Sequence, residues 1–419
     1  MPPRIGFGAR PSLSASASAR RWIAQFKAHD QSAAAALLDA LLLLNEDDVS
    51  RAVRSQLRKL ARSRKGPRKK VALYVEREFA EAAIFKSEPI ADKQGRVRLR
   101  AVGDKGPDAV RPRRGSTRVG SEGPGAFLLS QATEIAPKIF LNGPGPDRIR
   151  RHKASSIVVV TDFIGSGKRI CSMLDKFMRV ASVRAWQSAG WTDFTIVAAA
   201  TTKHGKAAVE AHRTHPKVLA SHVASSLGSY HDTDLAIAWH ELALHYGPKS
   251  GRGAGPLGFE GLGALIAFAY RAPNNLPLFL HTKTSEWIPL FQGAITDDLA
   301  PAFGLRSAKQ RTEDASQTLG QPLNPFASTE EGQLALVLAA VRGRWRDGQE
   351  IEIAERTSLT VPEVESARAY ALAHGLMTPR GHLTDAAHRR IETLTAPPHP
   401  PIIPTKAEPY YPKALRVPR

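Results

Sequence analysis

A single cysteine, Cys171, stands in a chain of 419 residues. No intrachain disulfide framework can therefore hold the fold together, and one free thiol suits a reducing compartment. A cytoplasmic location is expected on that ground. Long apolar runs are missing too. Stretches such as residues 41–44, inside an Ala/Leu-rich segment read as helix, fall far short of the roughly 20 residues that span a bilayer, so no membrane partner is expected. The first 29 residues contain no Asp or Glu and are rich in Ser, Ala and Arg. Such a composition superficially resembles an organelle transit peptide; the plainer reading is an unstructured start over residues 1–19. Aromatic residues make up only 7% of the chain.

Basic residues are abundant by contrast. Lys and Arg number 59 against 39 Asp and Glu, a net charge of +20. The excess concentrates in residues 51–118, with 21 Lys/Arg and 7 acids. Such a block binds nucleic acid, steers a polyanionic ligand, or forms a solvated face. Few aromatics interleave it, so base stacking is not signalled. Apolar residues at 42% support a packed core, and the length suits two or three domains.

The most informative segment is residues 157–169, IVVVTDFIGSGKR. Four β-branched residues form a short buried strand, and Thr161 and Asp162 end it. A turn with Gly165, Ser166 and Gly167 follows, then Lys168, Arg169 and a helical pattern. Strand, Gly-rich turn and helix present backbone N–H groups and a helix N-terminus to a phosphate. The ATP-binding P-loop fails at both anchors, because Asp162 stands where its first Gly belongs and Arg169 where its Ser or Thr belongs. The dinucleotide fingerprint lacks one of its three glycines. A strand-turn-helix with an idle loop is the plain alternative. The segment resembles the phosphoribosyl-pyrophosphate signature of type I phosphoribosyltransferases. Thr161 and Asp162 stand at its acid pair, and Thr161 departs from the pattern. The resemblance implies that Asp162, with Thr161, holds the ribose hydroxyls as the catalytic pair. It implies that Ile164, Gly165, Ser166, Gly167, Lys168 and Arg169 hold the 5′-phosphate. Mg²⁺ would come with the phosphoribosyl pyrophosphate, with no direct protein ligand.

Around this motif, residues 20–64 read as two or three helices with an apolar stripe from Trp22 to Leu60, Asp47 or Asp48 opening the last. Residues 71–75 read as a strand and residues 86–125 as a long loop. Gly120, Ser121 and Gly123 form a second anion turn before a helical AFLLSQATEIA, where the family's pyrophosphate loop would fall. Strands at 194–199, 218–221, 264–268 and 276–280 alternate with helices at 171–177, 206–212 and 233–246. This rhythm predicts an α/β core with a mostly parallel sheet. After a polar linker at 307–329, helices at 331–345, 351–357 and 361–374, a hairpin at 376–383 with Pro379, Arg380 and Gly381 at its tip, and a helix at 384–394 follow the winged-helix order. Thr360 is the expected cap of the third helix, with Val361, Val364 and Ala371 facing the core. Residues 330–396 carry 8 Arg against 10 acids, and Glu363 and Glu365 on the third helix would repel phosphates. A partner protein is thus as well signalled as DNA. Residues 397–419 hold eight prolines and read as an extended tail.

The degenerate signature, the stretch from Leu262 through Phe268, Pro273-Asn274-Asn275 and Trp287-Ile288-Pro289 together resemble the phosphoribosyltransferase-like group called PRTase-CE. That group is tied to prokaryotic conflict, or anti-phage, systems. The resemblance implies a helical N-terminal segment (20–64), a phosphoribosyltransferase-like domain (65–306) and an associated winged helix (330–396). It implies a nucleotide-related effector of cytoplasmic location. Two other classes stay open: a non-catalytic nucleotide sensor signalling through the winged helix, and a DNA-binding regulator. His231, His240 and His245 read as helix-surface polar residues, and Cys171 as a small buried hydrophobe.

Overall fold

The computed structural model describes residues 10–64, 70–78, 82–91, 95–107, 136–248, 254–293, 295–305, 330–341, 344–346, 348–357, 359 and 361–394. The chain divides into two compact units, Met1–Ser307 and Ala308–Arg419.

The strands of the first unit are β1 (Leu42–Leu44), β2 (Val71–Val75), β3 (Ser87–Ala91), β4 (Val97–Ala101), β5 (Phe140–Asn142), β6 (Ser156–Ile164), β7 (Asp193–Thr202), β8 (Lys217–Ala224), β9 (Ala254–Gly255), β10 (Gly258–Phe259) and β11 (Ile266–Phe268). Among the described residues its α-helices are α1 (Ala17–Ile23), α2 (Gln31–Asp39), α3 (Glu46–Ser63), α4 (Pro146–Arg151), α5 (Lys168–Met178), α6 (Ala181–Ser188), α7 (Lys203–Glu210) and α8 (Thr233–Tyr246).

Five strands form a wholly parallel sheet in the order β5-β2-β6-β7-β8. Both faces are covered, which is why these strands read as continuous apolar runs. Period-two alternation sorts their side chains. Ile157 and Val159 join Ile196 and the residues Met173, Leu174 and Phe177 of α5 in one core. Val158 and Val160 join Val197 and the residues Val53, Leu57 and Leu60 of α3 in another. The helical segment at 20–64 is thus no separate body, because α3 is one cover of the sheet.

The chain leaves β2 toward β5 on one side, then returns to β6, β7 and β8 on the other. The strand order therefore reverses between β2 and β6, and ligands of open α/β sheets collect at the carboxyl ends of such a pair.

A third core joins the two ends of the unit. Trp22 stacks on Phe279 and meets Phe26 edge-on, and Phe26 meets Trp287 edge-on, with ring centroids 4.7 Å apart for Trp22–Phe26 and 5.0 Å for Phe26–Trp287. The indole of Trp287 donates to the Phe279 carbonyl at 2.6 Å, and that of Trp239 donates to Ala33 at 2.9 Å. Buried indole N–H groups need such acceptors.

Several expectations are corrected. Residues 42–44 are not helical: they pair in parallel with Ile266–Phe268, so tertiary pairing overrides the leucine-rich helical propensity. Helix α3 starts earlier than Asp47, because Asn45 caps it and Asp48 completes a capping box. Within the expected 86–125 loop, β3 and β4 form an antiparallel hairpin; residues 108–125 lie outside the described residues. Residues 278–280 form a 3-10 turn instead of a strand. Strand β5 and helices α4 and α6 had no expectation, the first because three residues carry too little periodicity.

In the second unit, α9 (Glu330–Ala340), α10 (Glu350–Thr357) and α11 (Val361–Ala373) precede antiparallel bridges Arg344–His382 and Met377–Leu383, then α12 (Asp385–Glu392). The order is the expected winged helix. Val364 and Ala371 are fully buried. Gly381 bends the tip with φ +83°, and a Cβ there would lie 2.4 Å from the Trp345 carbonyl. Thr360, the 307–329 linker and the 397–419 tail lie outside the described residues, as does the Val361 side chain.

Candidate functional site

The reversal between β2 and β6 brings two carboxylates together. Glu76 follows the apolar VALYV strand directly, and its N–H extends the pairing to the Val160 carbonyl at 2.8 Å. Its side chain is only 6% exposed. The Thr161 hydroxyl donates to Glu76 Oε2 at 3.3 Å. Arg169 Nε lies 2.7 Å from Oε1, but off hydrogen-bond alignment, so that oxygen is buried with no aligned donor. Burial pushes the Glu76 carboxyl above its ordinary value; Arg169 pulls the other way and loses.

Asp162, one residue on, is engaged elsewhere. Arg271 Nη2 reaches both its oxygens, at 2.8 and 2.6 Å, and the Tyr270 hydroxyl donates at 2.9 Å. Burial works against the Arg271 charge, yet Asp162 holds its pKa above the ordinary value. Burial, then Asp162, pushes the Tyr270 phenol far up, so it stays a donor.

Beyond Asp162, Ile164 is the last residue of β6 and sits in the sheet core, 1% exposed. Its side chain is therefore core, and only its backbone borders the turn. The turn itself is tightly walled. A Cβ on Gly165 would lie 2.1 Å from Asn275 Oδ1, and one on Gly205 would lie 2.1 Å from the Gly165 carbonyl. Thr202 Oγ1 donates to that carbonyl at 2.6 Å. Asn275 belongs to the Pro-Asn-Asn turn, so that sequence element packs directly on the Gly-rich turn. Gly167 is the cap of α5 at φ +82°, a conformation a side chain resists. The first N–H groups of α5 have no acceptor within the helix and face the same side. Lys168 pairs with Glu260, its ammonium 5.6 Å from the centre of the Phe259 ring.

Next to the turn opens a cleft of about 300 Å³ whose walls include Arg77, Lys168, Arg169 and Lys176, with Glu78 as the acid. Four cations line it beside one carboxylate, and although Lys168 and Arg169 also pair with Glu260 and Glu76 just outside the lining, the cationic excess suits a polyanion. Gly120, Ser121 and Gly123, expected to form the pyrophosphate turn, lie outside the described residues. Arg77 and Glu78, just after the strand next to β6, border the cleft.

Glu76, Arg77, Glu260, Tyr270 and Arg271 were missed in the sequence. Glu76 did carry a signal, a lone acid directly after a fully apolar strand. Arg271 carried one too, as the charge that ends the apolar stretch at 264–270. His231, His240 and His245 are exposed on or beside α8. Cys171 is half-buried, and burial raises its thiol pKa, the direction that disfavours a thiolate. Among the described residues no cluster of three or more His, Cys, Asp or Glu could hold a metal. None of the described helices is long and apolar enough to cross a membrane.

A search of the curated proteins finds no match. The family model PRTase-CE matches residues 19–292, from α1 through the sheet to the aromatic core. A second model, wHTH-PRTase associated, matches residues 335–417. The chain belongs to the PRTase-CE family and carries that group's associated winged helix in its second unit.

Proposed function

We propose that the first unit binds phosphoribosyl pyrophosphate, or a related ribosyl phosphate, at the carboxyl ends of β2 and β6. The observation that carries this reading is the cationic cleft beside a Gly-Ser-Gly turn and Asp162. The turn and the start of α5 suit a 5′-phosphate through backbone N–H groups. Arg77, Arg169 and Lys176 suit a diphosphate. Asp162 suits the ribose hydroxyls once Arg271 yields them an oxygen. Mg²⁺ would travel with the diphosphate, whose oxygens supply most of its ligands, and Glu76 or Asp162 could meet its water shell. Transfer would then rest on positioning and on stabilising charge on the departing pyrophosphate. PRTase-CE membership supports the setting we infer, a nucleotide-related effector in prokaryotic defence.

A second reading, a sensor that binds the ligand without turnover and signals through the winged helix, is favoured by two observations. Thr161 replaces an acid, and Asp162 is already held by Arg271 and Tyr270. A DNA-binding regulator fits less well, with 8 Arg against 10 acids over residues 330–396.

Phosphoribosyl pyrophosphate with Mg²⁺ should raise the melting temperature, because a ligand selective for the native state stabilises it. Asp162→Asn should reduce the shift. No shift with any ribosyl phosphate at millimolar concentration overturns the reading. Product formation with the shift separates transferase from sensor.

A further inference from the structure

The loop after β10 holds an acidic side chain in an unfavourable backbone. Glu260 has φ +59°, in the left-handed region that residues with a Cβ avoid. Gly258, Gly261 and Gly263 around it are left-handed as well, at φ +85°, +63° and +57°. The loop is pinned by neighbours. The Phe259 N–H donates to the Asn274 carbonyl at 2.7 Å, and Asn275 Nδ2 donates to the Phe259 carbonyl at 3.1 Å. The Glu260 carboxylate lands on Lys168, the first residue of α5. Lys168 first, and the nearby Ser166 hydroxyl to a smaller degree, hold that carboxyl below its ordinary value. A carboxylate thus occupies Lys168, a group that the turn would offer to a phosphate.

We propose that Glu260 is an internal competitor for the anion turn, and that a phosphorylated ligand binds there by displacing its carboxylate and releasing the 256–263 loop. The proposal rests on the phosphate-site reading above. Two anions cannot share one small turn without repulsion. A phosphate brings up to two charges and three acceptor oxygens against one charge and two oxygens, so it can win the contest. Displacement also lets Glu260 leave its left-handed conformation. Asn275 touches both Phe259 and Gly165, so occupancy of the turn is coupled to the loop through packed atoms.

The test is calorimetric titration of the full chain with ribose 5-phosphate, for wild type and Glu260→Gln, together with hydrogen exchange of the wild type. Gln keeps the shape and removes the charge. Glu260→Gln should bind about three- to tenfold tighter, the range expected when one competing ion pair is lost. Ligand should also speed exchange across residues 256–263 in the wild type while slowing it at residues 165–170. If wild type binds and Glu260→Gln binds equally or more weakly, Glu260 is no competitor. Slower exchange across 256–263 on binding overturns the proposal even if the variant fails to fold. If neither protein binds ribose 5-phosphate, the phosphate-site reading itself fails, and this proposal with it.

Discussion

Glu76 carries its carboxylate into a place where burial outweighs the pull of Arg169. Its folded pKa lies above the ordinary 4.5. Between those two values the native state binds more protons than the unfolded chain, so stability falls as pH rises through the window. The contribution is complete below the ordinary value and is lost above the raised one. Wild type should therefore lose stability relative to Glu76→Gln as pH rises from about 4 through the mildly acidic range. Melting curves of both proteins across that range check this, and parallel curves contradict it. Gly167 gives a second prediction at this scale. A Cβ there would lie 3.0 Å from the Gly205 carbonyl at φ +82°. Gly167→Val should abolish ligand binding and also cost about 1–3 kcal/mol of stability through backbone strain. Lys168→Ala should leave the fold intact, since the Lys168 side chain is 66% exposed. Titration of the folded variants distinguishes the two, and unchanged affinity in a folded Gly167→Val protein would remove the turn from the site.

At the scale of elements, caps and short strand pairs set where segments begin. Asn45 accepts from the Asp48 N–H at 2.8 Å and donates to the Phe303 carbonyl at 2.9 Å. One side chain thus starts α3 and ties it to the far end of the unit. Asn45→Ala should cost about 1–2 kcal/mol, the upper part of the range for a lost cap, because a buried acceptor is orphaned as well. Chemical denaturation measures it, and a loss within error of zero contradicts the linkage. Strand β6 shows what local pattern can carry. Its IVVV run was legible, since period-two alternation between two buried faces leaves no polar position. Strand β1 shows the opposite. Nothing local tells three leucines to pair with Ile266–Phe268, more than 200 residues away.

The whole molecule is basic, yet its two units differ in charge. Residues 330–396 carry 8 Arg and 10 acids, while residues 51–118 carry 21 Lys/Arg and 7 acids. Isolated residues 325–396 should fold as a helical module and bind duplex DNA poorly at physiological salt. Tight binding with a steep salt dependence would show phosphates being neutralised and contradict this. Affinity of the full chain for a polyanion should trace instead to the first unit, where the cationic cleft lies.

The sequence by itself determined the strand-turn-helix around Asp162, the α/β rhythm and the winged-helix order. Each is written in short-range periodicity and in glycines at fixed spacing. The family resemblance was legible too, because Pro273-Asn274-Asn275 and Trp287 are unusual enough to carry it. Only the tertiary structure decided the company Asp162 keeps. Arg271 lies 109 residues away in the chain, Glu76 reaches Thr161 from a neighbouring strand across 85 residues, and Glu260 reaches Lys168 from a loop beyond α8. Such partners are set by strand order and register, which bring distant residues together at the carboxyl edge of the sheet. No local pattern encodes them.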